Sequence, residues 1–217
     1  METTLRIDKM ECYEEVKTKL VPSLLNRENN GSFLDMVPHR DLLDLAVIYR
    51  IDYGMNNGVR KMLTITNKIL EILGVTEDEL YRDAVQNTAL RYPLKIRTLF
   101  DVLCGMMGDE ESESTEGEDD LYVATTPDGL LGARVLLYPA FFKQAAEKLG
   151  GSFFVLPSSI HEVLLLQDNG KAVVEDLSAM VRQVNAAEVR EEDQLSNHVY
   201  YYDAESDEFC IAGETHA

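Results

Sequence analysis

A short polar turn between two apolar runs contains the side chains best suited to chemistry. The apolar runs cover residues 153–156 and 163–166, and Pro157 opens the turn between them. The polar side chains of this turn are Ser158, Ser159, His161 and Glu162. A serine nucleophile needs a base within hydrogen-bonding distance, and the base needs an acid that orients it. The residue types therefore indicate a hydrolase-like site, with these four residues as catalytic candidates.

The spacing favours a structural interpretation of the same turn. On an extended backbone, Ser159 and His161 point to one face and Glu162 points to the other. The chain also has no Gly-X-Ser-X-Gly motif of the kind that exposes a nucleophile between a strand and a helix. Serine hydroxyls commonly bond backbone amides in turns. We therefore predict that His161 mainly holds its own loop in place.

Histidine and carboxylate side chains also raise the alternative of a metal site. The candidate ligands are His39, Asp41, His161 and Glu162, with His198 as a fifth. These residue types bind Zn²⁺ and related ions. The chain has no His-Glu-X-X-His motif, so a site would require the turns around Pro38 and Pro157 to converge. We expect no bound metal and no cofactor.

The elements that would position these residues indicate an α+β fold. Apolar residues three or four apart, together with capping signals, predict about five helices. These cover residues 8–20, 66–73, 76–90, 139–149 and 173–187. Short apolar or β-branched runs between turn signals predict strands over 20–25, 33–37, 42–53, 59–65, 121–126, 133–138, 153–156, 163–166, 199–203 and 209–212. Residues 94–107 fit either type, and we expect mixed or antiparallel sheets.

Three of these boundaries have specific signals. Thr76 and Glu79 have the spacing of a capping box, in which each side chain bonds a free amide at the start of a helix. Gly74 is placed to end the preceding helix. Pro22 cannot donate to a β-ladder, so the strand over 20–25 is expected at a sheet edge.

The chain divides around an acidic segment. We predict an N-terminal α+β half over 1–108, an acidic loop or linker over 109–120 and a C-terminal α+β half over 121–217. The runs 37–43 and 156–164 each place a proline and a polar turn with a His and an acid before an apolar strand. This similarity suggests two related halves, although one such match also arises by chance.

The formal net charge of −19 limits the classes of partner. Residues 109–120 contain eight acids and no base, so the rest of the chain still has −19 + 8 = −11. Such a charge repels phosphate backbones, and we expect no direct nucleic-acid binding. An acidic mimic of nucleic acid is a weaker alternative, because like-charge blocks are usually solvated loops.

The apolar runs and the cysteines bear on the compartment. No apolar run approaches the ~20 residues of a membrane helix, and the N-terminus lacks a signal-peptide pattern. Cys12, Cys104 and Cys210 are far apart and form no Cys-X-X-Cys pair. An odd, scattered set is typical of a reducing interior. We therefore predict a cytoplasmic protein without membrane contact.

The turn after residue 156 and several other stretches resemble an uncharacterised bacterial domain-of-unknown-function family from anaerobic gut bacteria. The similar segments lie at 37–42, 65–67, 79–88, 132–138, 157–164 and 195–202 and so span nearly the whole chain. More faintly, the chain is similar to a second uncharacterised family with a variant of the same turn. The resemblance implies an intracellular bacterial protein whose relatives often carry more N-terminal sequence, and it implies no activity.

Three functions follow from these observations. The preferred one is a non-enzymatic module that binds a protein or a small ligand. The alternative is a hydrolase-like or metal-dependent enzyme that uses the His and acid residues of the two proline turns. The third is the acidic nucleic-acid mimic.

Overall fold

The computed structural model describes residues 13–107 and 121–213. The start of the helix predicted over 8–20, Cys12 and the acidic 109–120 segment lie outside these residues. Within them, the α-helices are α1 (Tyr13–Val16), α2 (Gly31–Leu34), α3 (Asn67–Leu73), α4 (Glu77–Arg91), α5 (Leu99–Met107), α6 (Phe141–Leu149) and α7 (Val174–Glu188). The strands are β1 (Leu20–Asn26), β2 (His39–Leu42), β3 (Leu45–Asn56), β4 (Val59–Thr64), β5 (Lys95–Thr98), β6 (Leu121–Thr125), β7 (Phe153–Ser159), β8 (Glu162–Gln167), β9 (Tyr200–Asp203) and β10 (Glu208–Ile211). Short 3-10 segments are Lys17–Lys19, Glu28–Asn30, Gly132–Leu137 and Glu191–Asp193.

The long strand β3 organises a four-stranded antiparallel sheet. β1 pairs along the first half of β3, and β2 and β4 pair with its first and second halves. Pro22 of β1 lies opposite Tyr49 of β3. Strand β1 is at the edge of the sheet, as its proline predicted. The β2–β3 connection is the two-residue turn Leu43–Asp44, and Leu43 adopts a positive φ of 55° there.

The second sheet has six strands in the order β10-β9-β7-β8-β6-β5. All its described pairs are antiparallel, and the β7–β8 hairpin lies at its centre. Strand β5 belongs to this sheet although it precedes the acidic segment. On the outer face, Leu177 and Val181 of α7 pack against Phe154 and Leu156.

The inner faces of both sheets share one hydrophobic core. Leu24 and Tyr49 of the first sheet belong to the same buried cluster as Phe153 and Leu165 of the second. The 3-10 segment Gly132–Leu137, all of it buried, contacts β1 of one sheet and β6 and β8 of the other. Each large apolar side chain buried here contributes about 1.5–3 kcal/mol relative to its exposed state. The 3-10 segment therefore lies in the interface between the two sheets.

The α+β class and the antiparallel sheets confirm the sequence-based prediction. Thr76 and Glu79 form the capping box at the start of α4. Gly74 ends α3 with a φ of 67°, a conformation that favours glycine. The strands predicted over 199–203 and 209–212 are present as β9 and β10, which pair antiparallel. No helix in the described ranges is long and apolar enough to cross a membrane.

Several predicted elements were wrong. Residues 33–37 include the end of helix α2 rather than a strand, and His39–Leu42 is strand β2 rather than a turn. The predicted strand over 133–138 is instead the buried 3-10 segment. The described residues also contain more helices than the predicted five, because one-turn helices and 3-10 segments are too short to show a 3.6-residue period.

Candidate functional site

His161 lies in the turn of the β7–β8 hairpin and connects it to neighbouring loops. Its Nδ1 accepts a hydrogen bond from the backbone N–H of Leu131 at 3.2 Å. Its carbonyl oxygen accepts one from the Thr125 hydroxyl at 2.8 Å. Because Nδ1 is an acceptor, the proton of the neutral ring is on Nε2, which lies 3.6 Å from Asp193 Oδ1. Both ring nitrogens thus face protein atoms.

The other candidates of this hairpin do not form a triad with the imidazole. Ser159 Oγ accepts the backbone N–H of His161 at 3.0 Å, which closes a hydroxyl turn. Glu162 begins β8, and within the described residues its carboxylate has no hydrogen-bond or ion-pair partner. Ser158 lies in β7, where the register shifts between Leu156 and Ser159. The serine hydroxyl is therefore used by the backbone rather than by a base.

His39 and Asp41 are exposed residues of β2 in the other sheet. The His39 ring donates from Nδ1 to the Val37 carbonyl at 3.1 Å. Asp41 Oδ2 lies 3.3 Å from Arg27 Nη2. In the part of the chain that the structure describes, no three His, Cys, Asp or Glu side chains are arranged to hold a metal ion. His39 and Asp41 therefore lie in the four-stranded sheet, whereas His161 lies in a turn of the six-stranded sheet.

Asp44, in the β2–β3 turn, joins the two sheets. Its Oδ2 accepts hydrogen bonds from Ser196 Oγ at 2.6 Å and from His198 Nδ1 at 2.9 Å. Its Oδ1 accepts one from the Tyr200 hydroxyl at 2.7 Å. These three donors belong to the segment that enters β9 of the six-stranded sheet. A single carboxylate therefore fixes that segment against the four-stranded sheet.

The electrostatics keep Asp44 ionised. Burial raises the pKa of its carboxyl, but the hydrogen bonds from Ser196, His198 and Tyr200 outweigh burial and lower the pKa below its ordinary value. Burial, together with the charge of Asp44, raises the pKa of Tyr200, so its hydroxyl remains a donor. The junction is thus a charge-assisted network.

Asp44, Ser196 and His198 have the residue types of a hydrolase triad but not its connectivity. In a triad the imidazole bonds the acid through one nitrogen and takes the serine proton with the other. Here the serine and the imidazole both donate to the carboxylate, and Ser196 Oγ accepts the backbone N–H of His198 at 2.9 Å. No described contact places a base on the serine hydroxyl. The arrangement is that of a structural clamp.

An open groove of about 480 Å³ adjoins this clamp. It is lined by Arg27, Glu28, Gly31, Leu34, Asp35, His39 and Asp44. Asn26 precedes the first lining residue, and its Oδ1 accepts the Asn29 N–H while its carbonyl accepts the Asn30 side-chain amide, both at 2.8 Å. These bonds turn the chain from β1 into α2. We call this feature the acidic groove.

The charges of the acidic groove favour a cationic ligand. Its lining has a formal charge of +1 from Arg27 and −3 from Glu28, Asp35 and Asp44, which sums to −2. Arg27 is already paired with Asp41. Within the described ranges, neither Glu28 nor Asp35 has an ion-pair partner. These two exposed carboxylates can therefore receive an ammonium or guanidinium group without breaking a contact.

Sequence reasoning missed two charged residues that the fold encloses, Asp44 and Arg134. Asp44 holds the clamp, and Arg134 is a fully buried cation in the 3-10 segment. Each is a single charged residue within an otherwise apolar run. Such an isolated charge is a usable signal, because fully buried charges are rare and generally paired.

The profile of the family of unknown function DUF5688 matches residues 1–204. The chain matches no curated protein and no solved structure at a significant level.

Proposed function

The chain belongs to the DUF5688 family of unknown function, and from the geometry of its surface we propose that it is a non-enzymatic binding module. The observation that carries this proposal is the acidic groove, where the carboxylates of Glu28 and Asp35 have no ion-pair partner among the described residues. Asp44 lines the groove, and its three hydrogen-bond donors hold its carboxylate in place. A preformed concave surface with a few convergent polar groups is typical of binding sites.

The partner that fits best is a protein that presents lysine or arginine side chains. The groove has a formal charge of −2, and the whole chain has −19. An acidic surface attracts a basic partner over long range and accelerates its association. Mimicry of nucleic acid is a weaker alternative. Its partner would also be basic, but it would bind an extended row of acidic residues rather than one groove.

An enzymatic function has less support. The nitrogens of His161 face Leu131 and Asp193, and the Ser196 hydroxyl is used by Asp44 and a backbone amide. Cytoplasmic location is part of the proposal, because the structure gives no disulfide to Cys104 or Cys210 within the described residues, which suits a reducing compartment.

The experiment measures binding of a fluorescent hexalysine peptide by anisotropy at low ionic strength. The test variant is Glu28→Gln with Asp35→Asn. The matched control is Glu175→Gln with Glu188→Gln, which removes the same charge from exposed positions of α7. Two rim ion pairs contribute about 1 kcal/mol together, so the groove variant should bind roughly fivefold more weakly. The control should stay within about twofold of the wild type, since it changes only the long-range field.

Two outcomes decide the proposal. A selective loss in the groove variant, with backbone amide shifts of Gly31 and Leu34 on peptide addition, supports the groove as the binding site. Equal losses in both variants would mean that the peptide follows net charge only, and the proposal would be wrong.

A further inference from the structure

Two helices on the six-stranded sheet carry half of the large apolar side chains that the described residues expose. Seven of these fourteen side chains lie on α5 or along α7. They are Phe100, Leu103, Met106 and Met107 on α5, and Val173, Met180 and Val184 along α7. The two helices have only 9 and 15 residues, so the exposed apolar surface is concentrated on them. Large apolar patches of this kind mark interaction sites.

Helix α7 leaves an open apolar groove beside it on the outer face of the sheet. Two adjoining cavities of about 320 and 40 Å³ form this groove, and Met180 lines both of them. Leu164 and Leu166 of β8 line its opposite side. Among the described lining residues, only Lys171 and Asp176 are charged, and their signs are opposite. The groove is therefore apolar and has no formal net charge.

Helix α5 presents an apolar ridge on the same face of the sheet. It contacts β5 and β6. Val123 of β6 lies opposite Leu164, so it faces outward, and it is only 5% exposed because α5 covers it. The exposed apolar side chains of α5 recur at positions 100, 103 and 107, and residues at this spacing form one stripe on a helix. The ridge and the groove are thus two apolar features of one face.

The charge and the shape of this face favour a second copy of the chain as its partner. The whole chain has −19, yet α5 and the groove lining together have −1, from Asp101, Lys171 and Asp176. A basic partner is attracted to strongly acidic surface, which this face lacks. A two-fold interface needs a surface that is complementary to itself. A face with both a ridge and a groove meets that requirement, because each copy supplies both parts.

The exposed apolar area is also close to what a dimer interface needs. The seven side chains are 39–79% exposed. Complete burial of such a side chain removes roughly 100 Å² from water, so the seven would bury roughly 400 Å² per copy. A standard interface buries about 800 Å² per partner, and somewhat more than half of that area is apolar. These side chains therefore supply most of the apolar part of a standard interface.

We propose that the chain forms a two-fold dimer in which α5 of each copy lies in the groove beside α7 of the other. Leu103 is at the middle of the α5 stripe, and Met180 lines both cavities of the groove. These two side chains therefore meet at the centre of each contact. The dimer interface is separate from the acidic groove and does not depend on it.

Sedimentation velocity of the whole chain over a range of concentrations measures the dissociation constant of the dimer. Leu103→Lys and Met180→Glu should each weaken the dimer roughly a hundredfold, because each removes two buried apolar contacts per dimer. The matched controls Met55→Lys and Met36→Glu make the same charge changes at exposed positions of the first 56 residues. They should stay within about threefold of the wild type, since they change only the long-range field.

An equimolar mixture of Leu103→Lys and Met180→Glu tests which elements meet. In the mixed dimer, the introduced lysine faces the introduced glutamate at one contact, and the other contact is native. The mixture should therefore associate at least tenfold more tightly than either variant alone. Added salt should strengthen the wild-type dimer, because two chains of −19 repel each other at low ionic strength.

Three results would overturn the proposal. The first is a wild-type chain that stays monomeric at the highest concentration it reaches in solution, at high salt. The second is a dimer that Leu103→Lys and Met180→Glu weaken no more than their controls do. The third is a mixture of these two variants that associates no better than each variant alone.

Discussion

Replacing Gly132 with alanine should strongly destabilise the protein, although the change adds one methyl group. A Cβ at this position would overlap Thr125 Oγ1 and the His161 carbonyl oxygen and would lie 3.0 Å from Thr126 N. Ordinary contacts between non-bonded heavy atoms are at about 3.5–4.0 Å. The backbone of Gly132 is not in the left-handed region, so the expected effect is steric and not conformational.

The magnitude follows from what must move. Overpacking a close-packed interior costs about 1–3 kcal/mol. The Thr125 hydroxyl can rotate away, but it then loses its 2.8 Å bond to the His161 carbonyl, at about 1 kcal/mol. The carbonyl itself is fixed by the hairpin turn. We expect a loss of about 3 kcal/mol, which for a chain of this length lowers Tm by roughly 6–12 °C.

Urea unfolding followed by circular dichroism measures this loss against two variants. Gly31→Ala is the control, because Gly31 has a helical φ of −49° and a Cβ there meets nothing within 4 Å. It should gain about 0.4–1 kcal/mol. Adding Thr125→Ala to Gly132→Ala should recover only part of the loss, because the His161 carbonyl remains in the way. A Gly132→Ala protein within about 0.5 kcal/mol of the wild type would refute the steric reasoning.

Two further predictions concern titration and the hairpin turn. Burial raises the pKa of Asp52, but hydrogen bonds from Arg60 and Tyr92 lower it to about 2, below an ordinary value of 3.8. Its ionised form therefore stabilises the fold by about 2 kcal/mol above pH ~4, and this stability is lost as the pH falls toward 2. The difference in unfolding free energy between wild type and Asp52→Asn should shrink over that range, and a constant difference would contradict the assignment. His161→Ala should lower the free energy of unfolding by about 1–3 kcal/mol in the same assay, because the backbone N–H of Leu131 loses its acceptor. The control His39→Ala changes an exposed residue and should lower it by less than about 0.5 kcal/mol. Equal losses in the two variants would contradict the role given to His161.

Local signals predicted the elements whose ends are set by nearby residues. The capping box of Thr76 and Glu79, the cap at Gly74 and the edge position of Pro22 all involve bonds or conformations within a few residues. Such features depend little on the rest of the fold, so they can be recognised without it.

The failures occur where tertiary contacts override the local pattern. The apolar run over 133–138 suggested a strand, yet it forms a 3-10 segment enclosed on all sides between two sheets. A continuous apolar run is compatible with any fully buried element, so periodicity cannot identify its type. The same limit applies to the clamp, since Asp44 and Ser196 are 152 positions apart in the chain. No local pattern encodes such a contact.

The polar turn around His161 was a candidate site in the sequence, whereas Arg134 was not. Backbone hydrogen bonds connect this turn to the segment that carries Arg134. The turn accepts the Leu131 N–H at His161 Nδ1 and the Ala133 N–H at the Ile160 carbonyl, at 3.2 Å each. Gly132, between those two amides, has no room for a side chain against the same turn. The hairpin thus holds residues 131–133 on both sides and fixes where Arg134 enters the core. His161 therefore positions Arg134 indirectly, because it holds the segment that carries this arginine.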